Sequence, residues 1–187
     1  MKKIIFSNLL LVAIFIATAI SCNKANTLLY APNTTAAKAD KTTWTATADS
    51  ETPTGLENTG KASAVLDGDI NTYWHTDYSV NPSPDYPHWV LIDMKTPKNL
   101  ISVDIANRQR AGTPNTSGMK KLRIEGSTDG TTFTSLGEFD FLITNDFQSF
   151  PVSSTNAYRY VKVTALAPQV VGTRHTFLAE IDIFTTK

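Results

Sequence analysis

The chain has 187 residues, of which 41% are hydrophobic and 18% are charged, a size and composition that suit one domain with a tail. Lys plus Arg and Asp plus Glu each number 17, so the sequence lacks the basic excess that is typical of nucleic-acid-binding proteins. The single cysteine excludes a disulfide framework and a zinc site built from several thiolates.

Residues 1–21 have the pattern of a secretory signal. Lys2 and Lys3 precede an apolar run over 4–20, and small residues follow up to Cys22. The run is also close to the shortest length that spans a membrane, but the small residues and the cysteine at its end favour cleavage. Removal of residues 1–21 takes away two lysines and no acids, which leaves a net charge of −2.

Cys22 lies at the predicted cleavage boundary. The arrangement resembles the lipobox of bacterial lipoproteins, in which the cysteine carries the lipid, although Ala19 stands where that motif usually has leucine. An ordinary secretory signal with an incidental cysteine is the alternative. Acyl chains on Cys22 would anchor a soluble domain to a membrane without spanning it. We therefore expect a lipid-anchored protein of the bacterial cell envelope, at the outer membrane or cell surface.

Residues 22–42 are rich in Asn, Thr, Ala and Lys and show no sustained apolar period. This composition predicts a flexible tether between the lipidated cysteine and a domain over 43–187. The alternative is that a first edge strand lies within the segment, around residues 28–30.

From Trp44 onward the pattern predicts strands joined by turns. Threonine, which is β-branched and favours strands, is frequent, and apolar and polar residues alternate in several short runs. Asp129-Gly130, between runs at 120–127 and 132–139, indicates a tight hairpin. We see no sustained helical period. The sequence therefore predicts an all-β fold, an antiparallel β-sandwich of about eight strands, as in a jelly roll.

An oxygen-rich loop follows residue 64. Asp67, Asp69 and Asn71 alternate around Gly68, and hard cations such as Ca²⁺ prefer six to eight oxygen ligands. The spacing imitates the opening of an EF-hand loop, but Thr72 replaces its glycine and the later bidentate glutamate is missing. A calcium loop of another kind fits better, and a plain Asx-rich turn is the alternative.

The stretch Ala64–Thr76 resembles the signature of the coagulation factor 5/8 type C (discoidin) domain and of bacterial family 32 carbohydrate-binding modules. Further motifs of that family follow in order: Trp89–Asp93, Val103–Gln109, Glu125–Gly130, Tyr158–Val163 and Ala179–Ile181. The resemblance covers about residues 44–184. It implies an eight-stranded, galactose-binding-like jelly roll with a structural calcium ion.

The resemblance also implies which residues hold the ion. Two carboxylates, one hydroxyl and four carbonyls would give seven oxygen ligands, a number that Ca²⁺ accepts. The carboxylates belong to Asp67 and Glu180, Thr72 supplies its hydroxyl and its carbonyl, and the other carbonyls belong to Ala64, Asp69 and Ala179. The ion would tie the early loop to the last strand. The alternative for Glu180 is a solvent-facing strand residue.

The second implied site binds a sugar, through an aromatic face and a few planar polar side chains. Its ligand-binding residues would be His75 after the conserved Trp74, Arg108 at a strand end, and Glu57 from the preceding loop. Phe177 is expected to complete the aromatic platform, with Tyr78 and Tyr86 in reserve. Trp74 and Trp89 are expected to be core residues rather than sugar platforms, since both lie inside strand patterns. Ordinary alternatives exist for the other residues: His75 as a satisfied loop histidine, Arg108 as a loop cation, and Arg110, Arg174 and His175 as rim residues.

We find no catalytic motif in the sequence: no nucleophile elbow, no metalloprotease helix motif and no phosphate-binding glycine loop. The resembled family is non-catalytic. We therefore expect a surface lipoprotein that captures glycans, such as terminal galactose-type or amino sugars, within a glycan-degrading surface complex and without a nucleic-acid partner. The alternative is a cell-surface adhesion or assembly module that binds a protein partner. A hydrolase is the least favoured hypothesis.

Overall fold

The computed structural model describes residues 35–57, 59–152 and 154–187. In these ranges the chain forms eleven strands and a short 3-10 helix over Ala62–Leu66. The strands are β1 (Ala36–Lys38), β2 (Thr45–Ala48), β3 (Trp74–His75), β4 (His88–Lys98), β5 (Leu100–Ala106), β6 (Met119–Ser127), β7 (Thr134–Asp140), β8 (Gln148–Pro151), β9 (Tyr158–Pro168), β10 (Phe177–Leu178) and β11 (Glu180–Thr186). The predicted signal, Cys22 and the alternative strand around 28–30 lie outside the described residues. Within these ranges, no helix has the length and apolarity needed to cross a membrane.

Two antiparallel sheets enclose the core, which confirms the predicted all-β sandwich. One sheet has the strand order β2-β4-β9-β6-β7, and the other has the order β1-β11-β5-β8. The strands β3 and β10 form a separate antiparallel pair. Eight strands were expected. The three additional ones in the described ranges are the short β1, β3 and β10, which are too brief for an alternating pattern to reveal.

The hydrophobic core follows the period-two pattern of the sequence. In β4, Val90, Ile92 and Met94 are buried, whereas the residues between them are partly exposed. They pack with Val103 and Ile105 of the opposite sheet in one continuous cluster. Burying each such side chain contributes about 1.5–3 kcal/mol, so these alternating runs supply most of the drive for sheet packing.

Of the two tryptophans expected in the core, only one lies there. Trp74 is 1% exposed, and its Nε1 donates a hydrogen bond of 2.8 Å to the Ser50 carbonyl. Trp89 is only half-buried, because the inward positions of β4 are taken by His88 and Val90 on either side of it. The expectation of a core role for Trp89 is therefore wrong.

The hairpin at Asp129-Gly130 is confirmed between β6 and β7, but the connection spans the six residues 128–133 and is not the tight turn that the sequence predicts. Gly130 adopts a φ of 76°, a left-handed conformation that a residue without a Cβ adopts at little cost. The Asp129 carboxylate accepts hydrogen bonds of 2.8 Å from the backbone N–H groups of Thr131 and Thr132. These bonds hold the pKa of Asp129 below its usual value.

The predicted tether is wrong at its C-terminal end, because residues 36–42 belong to the domain. β1 pairs with β11, in register from Ala36 opposite Thr186. Beyond it, Lys41 is largely buried and forms ion pairs with Glu180 and with Asp182, the latter at 2.7 Å. These contacts join the segment to both acids of β11, which the composition of the segment did not reveal.

The two ends of the sandwich differ. Five loops gather at one end, which we call the loop pole. The strand ends beside these loops are paired in the sheets, Ala106 with Glu180, Met119 with Pro168 and Ala48 with Val90, and this pairing brings the loops to the same end. These loops are 49–57, 76–87, 107–118, 141–147 and 169–176. At the opposite pole the described chain begins and ends, where the N–H of Lys187 donates a 3.2 Å hydrogen bond to the Thr35 carbonyl.

Candidate glycan-binding site

The predicted ligand residues converge at the loop pole around His75. β3 places Trp74 inward and directs Tyr73 and His75 to the other side, since alternate residues of an extended chain share a face. The register of β3 with β10 sets Phe177 directly opposite His75. The structure therefore brings together His75, Glu57, Arg108 and Phe177, the four side chains named for this site.

Glu57 determines how the His75 ring is protonated. Its Oε1 lies 3.2 Å from Nδ1 of His75, and its Oε2 accepts a 3.0 Å hydrogen bond from the Tyr73 hydroxyl. An ionised carboxylate only accepts hydrogen bonds, so Nδ1 of His75 carries a proton and Nε2 of the neutral ring is an acceptor. Nε2 is buried and has no hydrogen-bond partner among the described residues. A buried acceptor without a partner is costly, and a ligand hydroxyl would satisfy it.

Burial also keeps the His75 ring neutral. Desolvation lowers the pKa of His75 below its ordinary value, and the charges of His175 and Arg108 lower it further. The carboxylate of Glu57 acts in the opposite direction without cancelling the effect. The neutral form of His75 therefore predominates at neutral pH, which preserves the acceptor at Nε2.

Arg108 supplies the donors of the site. Its Cζ lies 4.1 Å from the centroid of the Tyr73 ring and 5.6 Å from that of Phe177, so the guanidinium is held between aromatic rings. The hydrogen bonds and ion pairs of the described residues do not engage its guanidinium. Its N–H groups thus remain available to ligand hydroxyls beside the acceptor of His75.

The accessible aromatic face belongs to Tyr78, not to Phe177. Phe177 is 3% exposed and covered by the 107–118 loop, since a Cβ on Gly118 would lie 3.0 Å from its ring. Its expected role as an open platform is therefore wrong. Tyr78, one of the reserve residues, is 43% exposed and stacks on His75 with ring centroids 4.8 Å apart. The sequence does not single out Tyr78 as the platform, because its loop has no periodic pattern from which exposure could be predicted.

Two further residues complete the cluster. Tyr73, which the sequence analysis missed, links Glu57 to Arg108, and its position two residues before His75 was the available signal. His175, expected only at the rim, has its ring centroid 5.5 Å from that of His75. Burial and the charges of His88 and Arg108 lower the pKa of His175. Tyr86 is not a platform, because its hydroxyl donates a 3.2 Å hydrogen bond to the His175 carbonyl.

The side chains around His75 suit a ligand rich in hydroxyl groups. They combine an unpaired acceptor, a fork of donors and an exposed aromatic face within one cluster. Sugars present C–H faces to aromatic rings and hydroxyls to planar polar groups, so the arrangement matches their chemistry.

The predicted metal loop folds as an Asx-rich turn. Asp67 Oδ1 accepts a 2.8 Å hydrogen bond from the N–H of Asp69, whose carboxylate in turn accepts from Asn71 at 2.9 Å. The Thr72 hydroxyl lies 2.7 Å from Asp67 Oδ2 and 3.0 Å from the Asp69 carbonyl oxygen. A cavity of about 290 Å³ borders this turn, and Ala64, Asp67 and Thr72 are among its lining residues.

The other predicted carboxylate, Glu180, is buried rather than facing solvent. It is 3% exposed, and one of its oxygens, Oε2, has no hydrogen-bond partner among the described residues. Burial raises the pKa of Glu180, the Lys41 ammonium lowers it, and the charges of Asp182 and Asp67 raise it further. An unpaired buried oxygen that experiences a second carboxylate fits a cation ligand. No group of three or more His, Cys, Asp or Glu with metal-binding geometry was found in the described part of the chain, and the predicted set contains only two carboxylates.

Known proteins resemble this chain over the same region. Residues 44–180 match the F5/8 type C domain. The galactose oxidase of Gibberella zeae is 28% identical over 141 residues, which are 75% of this chain and 20% of the oxidase. The sialidase of Micromonospora viridifaciens is 28% identical over 127 residues, 66% of this chain and 18% of the sialidase. The chain therefore spans about a fifth of the length of these curated relatives.

Solved structures of single modules align with this chain over almost the whole length of each module. The module CpGH89CBM32-5 of Clostridium perfringens, in complex with GalNAc-β-1,3-galactose, is 27% identical with a TM-score of 0.68 over 80% of this chain and 100% of the module. The family 32 carbohydrate-binding module of Clostridium perfringens NanJ, in complex with galactose, is 25% identical with a TM-score of 0.65 over 80% of this chain and 99% of that one. The fold is thus the jelly roll of these non-catalytic modules, and the chain belongs to the F5/8 type C domain family.

Proposed function

We propose that this protein is a non-catalytic surface module that captures glycans with terminal galactose-type or amino sugars. The observation that carries the proposal is the buried Nε2 of His75, which has no hydrogen-bond partner in the described ranges and belongs to the same cluster as the donor groups of Arg108. The similar modules named above were solved with galactose and with GalNAc-β-1,3-galactose, which supports the same ligand class here.

The three parts of the site would act together on one sugar ring. Glu57 keeps Nδ1 of His75 protonated, so that Nε2 accepts a hydrogen bond from a sugar hydroxyl. Arg108 donates to hydroxyl oxygens on the same edge of the ring, and two such bonds from a planar fork fix its orientation. Tyr78 offers the face that does not stack on His75 to the C–H bonds of the sugar. A shallow site of this kind gives weak single contacts that gain from many copies.

We also propose a structural calcium ion between the Asx-rich turn and β11. Asp67 and Glu180 would supply carboxylates, Thr72 its hydroxyl and carbonyl, and Ala64, Asp69 and Ala179 carbonyls. The unpaired Oε2 of Glu180 supports this set. When bound, the ion would neutralise the two carboxylates and cross-link the early loop to the last strand.

The location proposed for the protein is the bacterial cell envelope, with Cys22 as the lipid-bearing residue. Both curated relatives are enzymes several times longer than this chain, and the matched region is about a fifth of each. The domain therefore fits a role as a glycan-capturing partner of glycan-degrading proteins. Catalysis would then belong to those partners and not to this domain.

The test is titration calorimetry of residues 35–187 with galactose and N-acetylgalactosamine. We expect binding by the unmodified protein and a loss of at least about tenfold in affinity for His75→Ala and for Arg108→Ala, since each removes a charge-assisted or buried hydrogen bond. Arg110→Ala is the matched control, because Arg110 is exposed two residues from Arg108 and is not among the side-chain hydrogen-bond and ring contacts that the described residues make with His75. Equal affinity of all four proteins would refute the site.

A second candidate function, the binding of a protein partner, is favoured by one observation. The large apolar side chains that are exposed in the described ranges all lie on loops of the loop pole: Leu56, Tyr78, Val80, Leu142, Ile143, Phe147, Val170 and Val171. Val171 is 98% exposed. Such side chains on one surface are typical of interaction sites. A paired Leu142→Asp and Val171→Asp variant that keeps its galactose affinity but no longer adheres to deglycosylated cell-surface protein would favour this function.

A further inference from the structure

His88 lies behind the glycan site, beside the residues that face the ligand. It is the first residue of β4, it is 0% exposed, and its ring makes hydrogen bonds through both nitrogens. Nδ1 lies 2.8 Å from Asp49 Oδ2, and Nε2 lies 2.7 Å from the carbonyl oxygen of Arg174. The other oxygen of Asp49 accepts a 2.7 Å hydrogen bond from the N–H of Trp89, which holds the carboxylate in place.

The chemistry of these two partners determines the charge of the ring. A carbonyl oxygen only accepts, so Nε2 of His88 must carry a proton. An ionised carboxylate also only accepts, so Nδ1 must carry one as well. Both contacts are formed together only by the imidazolium, which is a buried cation paired with Asp49.

The carbonyl that His88 holds belongs to the segment that carries His175. The neighbouring His175 carbonyl accepts from the Tyr86 hydroxyl, and the Thr176 N–H donates a 3.0 Å hydrogen bond to the hydroxyl of Thr76. On the outer side, Arg174 donates from Nε to the Ser83 carbonyl at 2.7 Å. His88 is the fully buried histidine of this set, and histidine is the side chain whose charge changes most readily near physiological pH.

We propose that His88 is a buried imidazolium that positions the His175 segment against the glycan site, so that sugar affinity falls when His88 loses its proton. The proposal rests on the proposed glycan-binding function. Loss of the proton at Nε2 would set two acceptors, the ring nitrogen and the Arg174 carbonyl, against each other at 2.7 Å. The segment would then move, and with it His175 and the adjoining Phe177, both of which pack on His75.

Charged and titratable groups surround His88 from several elements. Asp49 contacts it from the loop after β2, Asp85 and Tyr86 approach from the loop before β4, and His175 approaches from the 169–176 loop. Burial by itself lowers the pKa of His88, but the hydrogen bonds to Asp49 and to the Arg174 carbonyl, with the charges of Asp49 and Asp85, outweigh it and raise the pKa. The stabilisation is therefore complete below the unfolded-state value of about 6.5 and is lost as the pH rises through the folded-state pKa.

The first experiment measures the charge of His88 in the sugar-free protein, by ¹⁵N chemical shifts of the imidazole nitrogens over a pH titration. We expect two protonated nitrogens at about pH 6.5 and release of a proton only at higher pH. A neutral His88 at that pH would overturn the proposal. This result does not depend on sugar binding, so it separates a failure of this proposal from a failure of the proposed function.

The second experiment compares galactose affinity across the alkaline range for the unmodified protein, His88→Gln and Asp49→Asn. Gln offers an N–H near the position of Nε2 but does not titrate, so we expect its affinity to stay flat where that of the unmodified protein falls several-fold. Asp49→Asn removes the anion but keeps an acceptor for the Trp89 N–H, and it should move the fall to lower pH. A fall that persists unchanged in both variants would overturn the proposal. Should His88→Gln fail to fold, Asp49→Asn alone decides between these outcomes.

Discussion

The carboxylate of Glu57 and the imidazole of His75 form a pair in which the acid determines which ring nitrogen of the histidine accepts a hydrogen bond. Oε1 of Glu57 lies 3.2 Å from Nδ1, and this contact leaves Nε2 of His75 as the acceptor. Glu57 also accepts from Tyr73, whose ring lies under Arg108. The acceptor and the donors of the site are thus oriented through one carboxylate, and its removal should disturb both.

We expect Glu57→Ala to lower galactose affinity about fivefold to tenfold, because the free ring of His75 can adopt the other tautomer and Tyr73 loses its acceptor. Titration calorimetry measures the loss, and the ¹⁵N shifts of His75 report the tautomer. Glu51→Ala is the control, since Glu51 pairs with Lys61 at 3.1 Å instead of contacting the site. If Glu51→Ala weakens binding as much as Glu57→Ala does, the assigned role of Glu57 is wrong.

Galactose affinity should also fall in acid. Burial lowers the folded-state pKa of His75, so its neutral form is retained until the pH drops below the ordinary value of about 6.5. As the pH falls through the lowered pKa, Nε2 gains a proton and can no longer accept from a sugar hydroxyl. Calorimetry between about pH 4.5 and pH 7 measures the fall. An affinity that is constant over this range, or that rises in acid, would contradict the acceptor role of Nε2.

Lys41→Met should destabilise the domain far more than Lys38→Ala. Lys41 is 11% exposed and pairs with two buried acids, so its removal takes the cation from the buried Glu180 and leaves Asp182 with the exposed Lys38, at a cost of about 3 kcal/mol or more. Lys38 contacts Asp182 at 2.6 Å but is 54% exposed, and exposed pairs contribute about 1 kcal/mol or less. Urea denaturation measures both free energies of unfolding. Similar losses for the two variants would show that residues 39–42 do not pack as described.

Calcium should raise the melting temperature of the domain, because a ligand that binds only the folded state stabilises it by about 2.7 kcal/mol at a hundred times its dissociation constant. We expect the rise to be abolished by a chelator, by Asp67→Asn and by Glu180→Gln. Asp140→Asn serves as the control, since Asp140 is an exposed residue at the end of β7. Calorimetry with and without calcium is the measurement, and an unmodified protein that shows no calcium-dependent shift would refute the proposed ion.

The alternating runs predicted the sandwich because each strand has one face in the core. Val90, Ile92 and the β6–β7 hairpin follow directly from the period of two and from Asp129-Gly130. β11 departs from that rule. Its outward residues Glu180 and Asp182 are buried as well, since the segment carrying Lys41 covers them. A long-range ion pair leaves no periodic signal in the sequence, so the tether could not be delimited correctly.

The site was predictable to the extent that single motifs fix it. His75 and Arg108 occupy positions that the family motifs mark, and the structure brings them to one cluster through Tyr73 and Phe177. Which aromatic ring stays open depends on how loops cover one another. Phe177 is covered by the loop that carries Gly118, whereas Tyr78 is exposed to solvent, and residue type and spacing predict neither difference.

The position of the ends of the described chain has a consequence for how the domain presents its candidate site to a ligand. Thr35 and Lys187 meet at the pole opposite the loops, and β11 separates the two poles by about 20 Å at the usual rise per strand residue. Both ends of the described chain therefore lie on the side of the domain away from His75. A support that held the domain by either of these ends would leave the candidate site free on the far side, and many copies held in this way would present their sites together to one branched glycan.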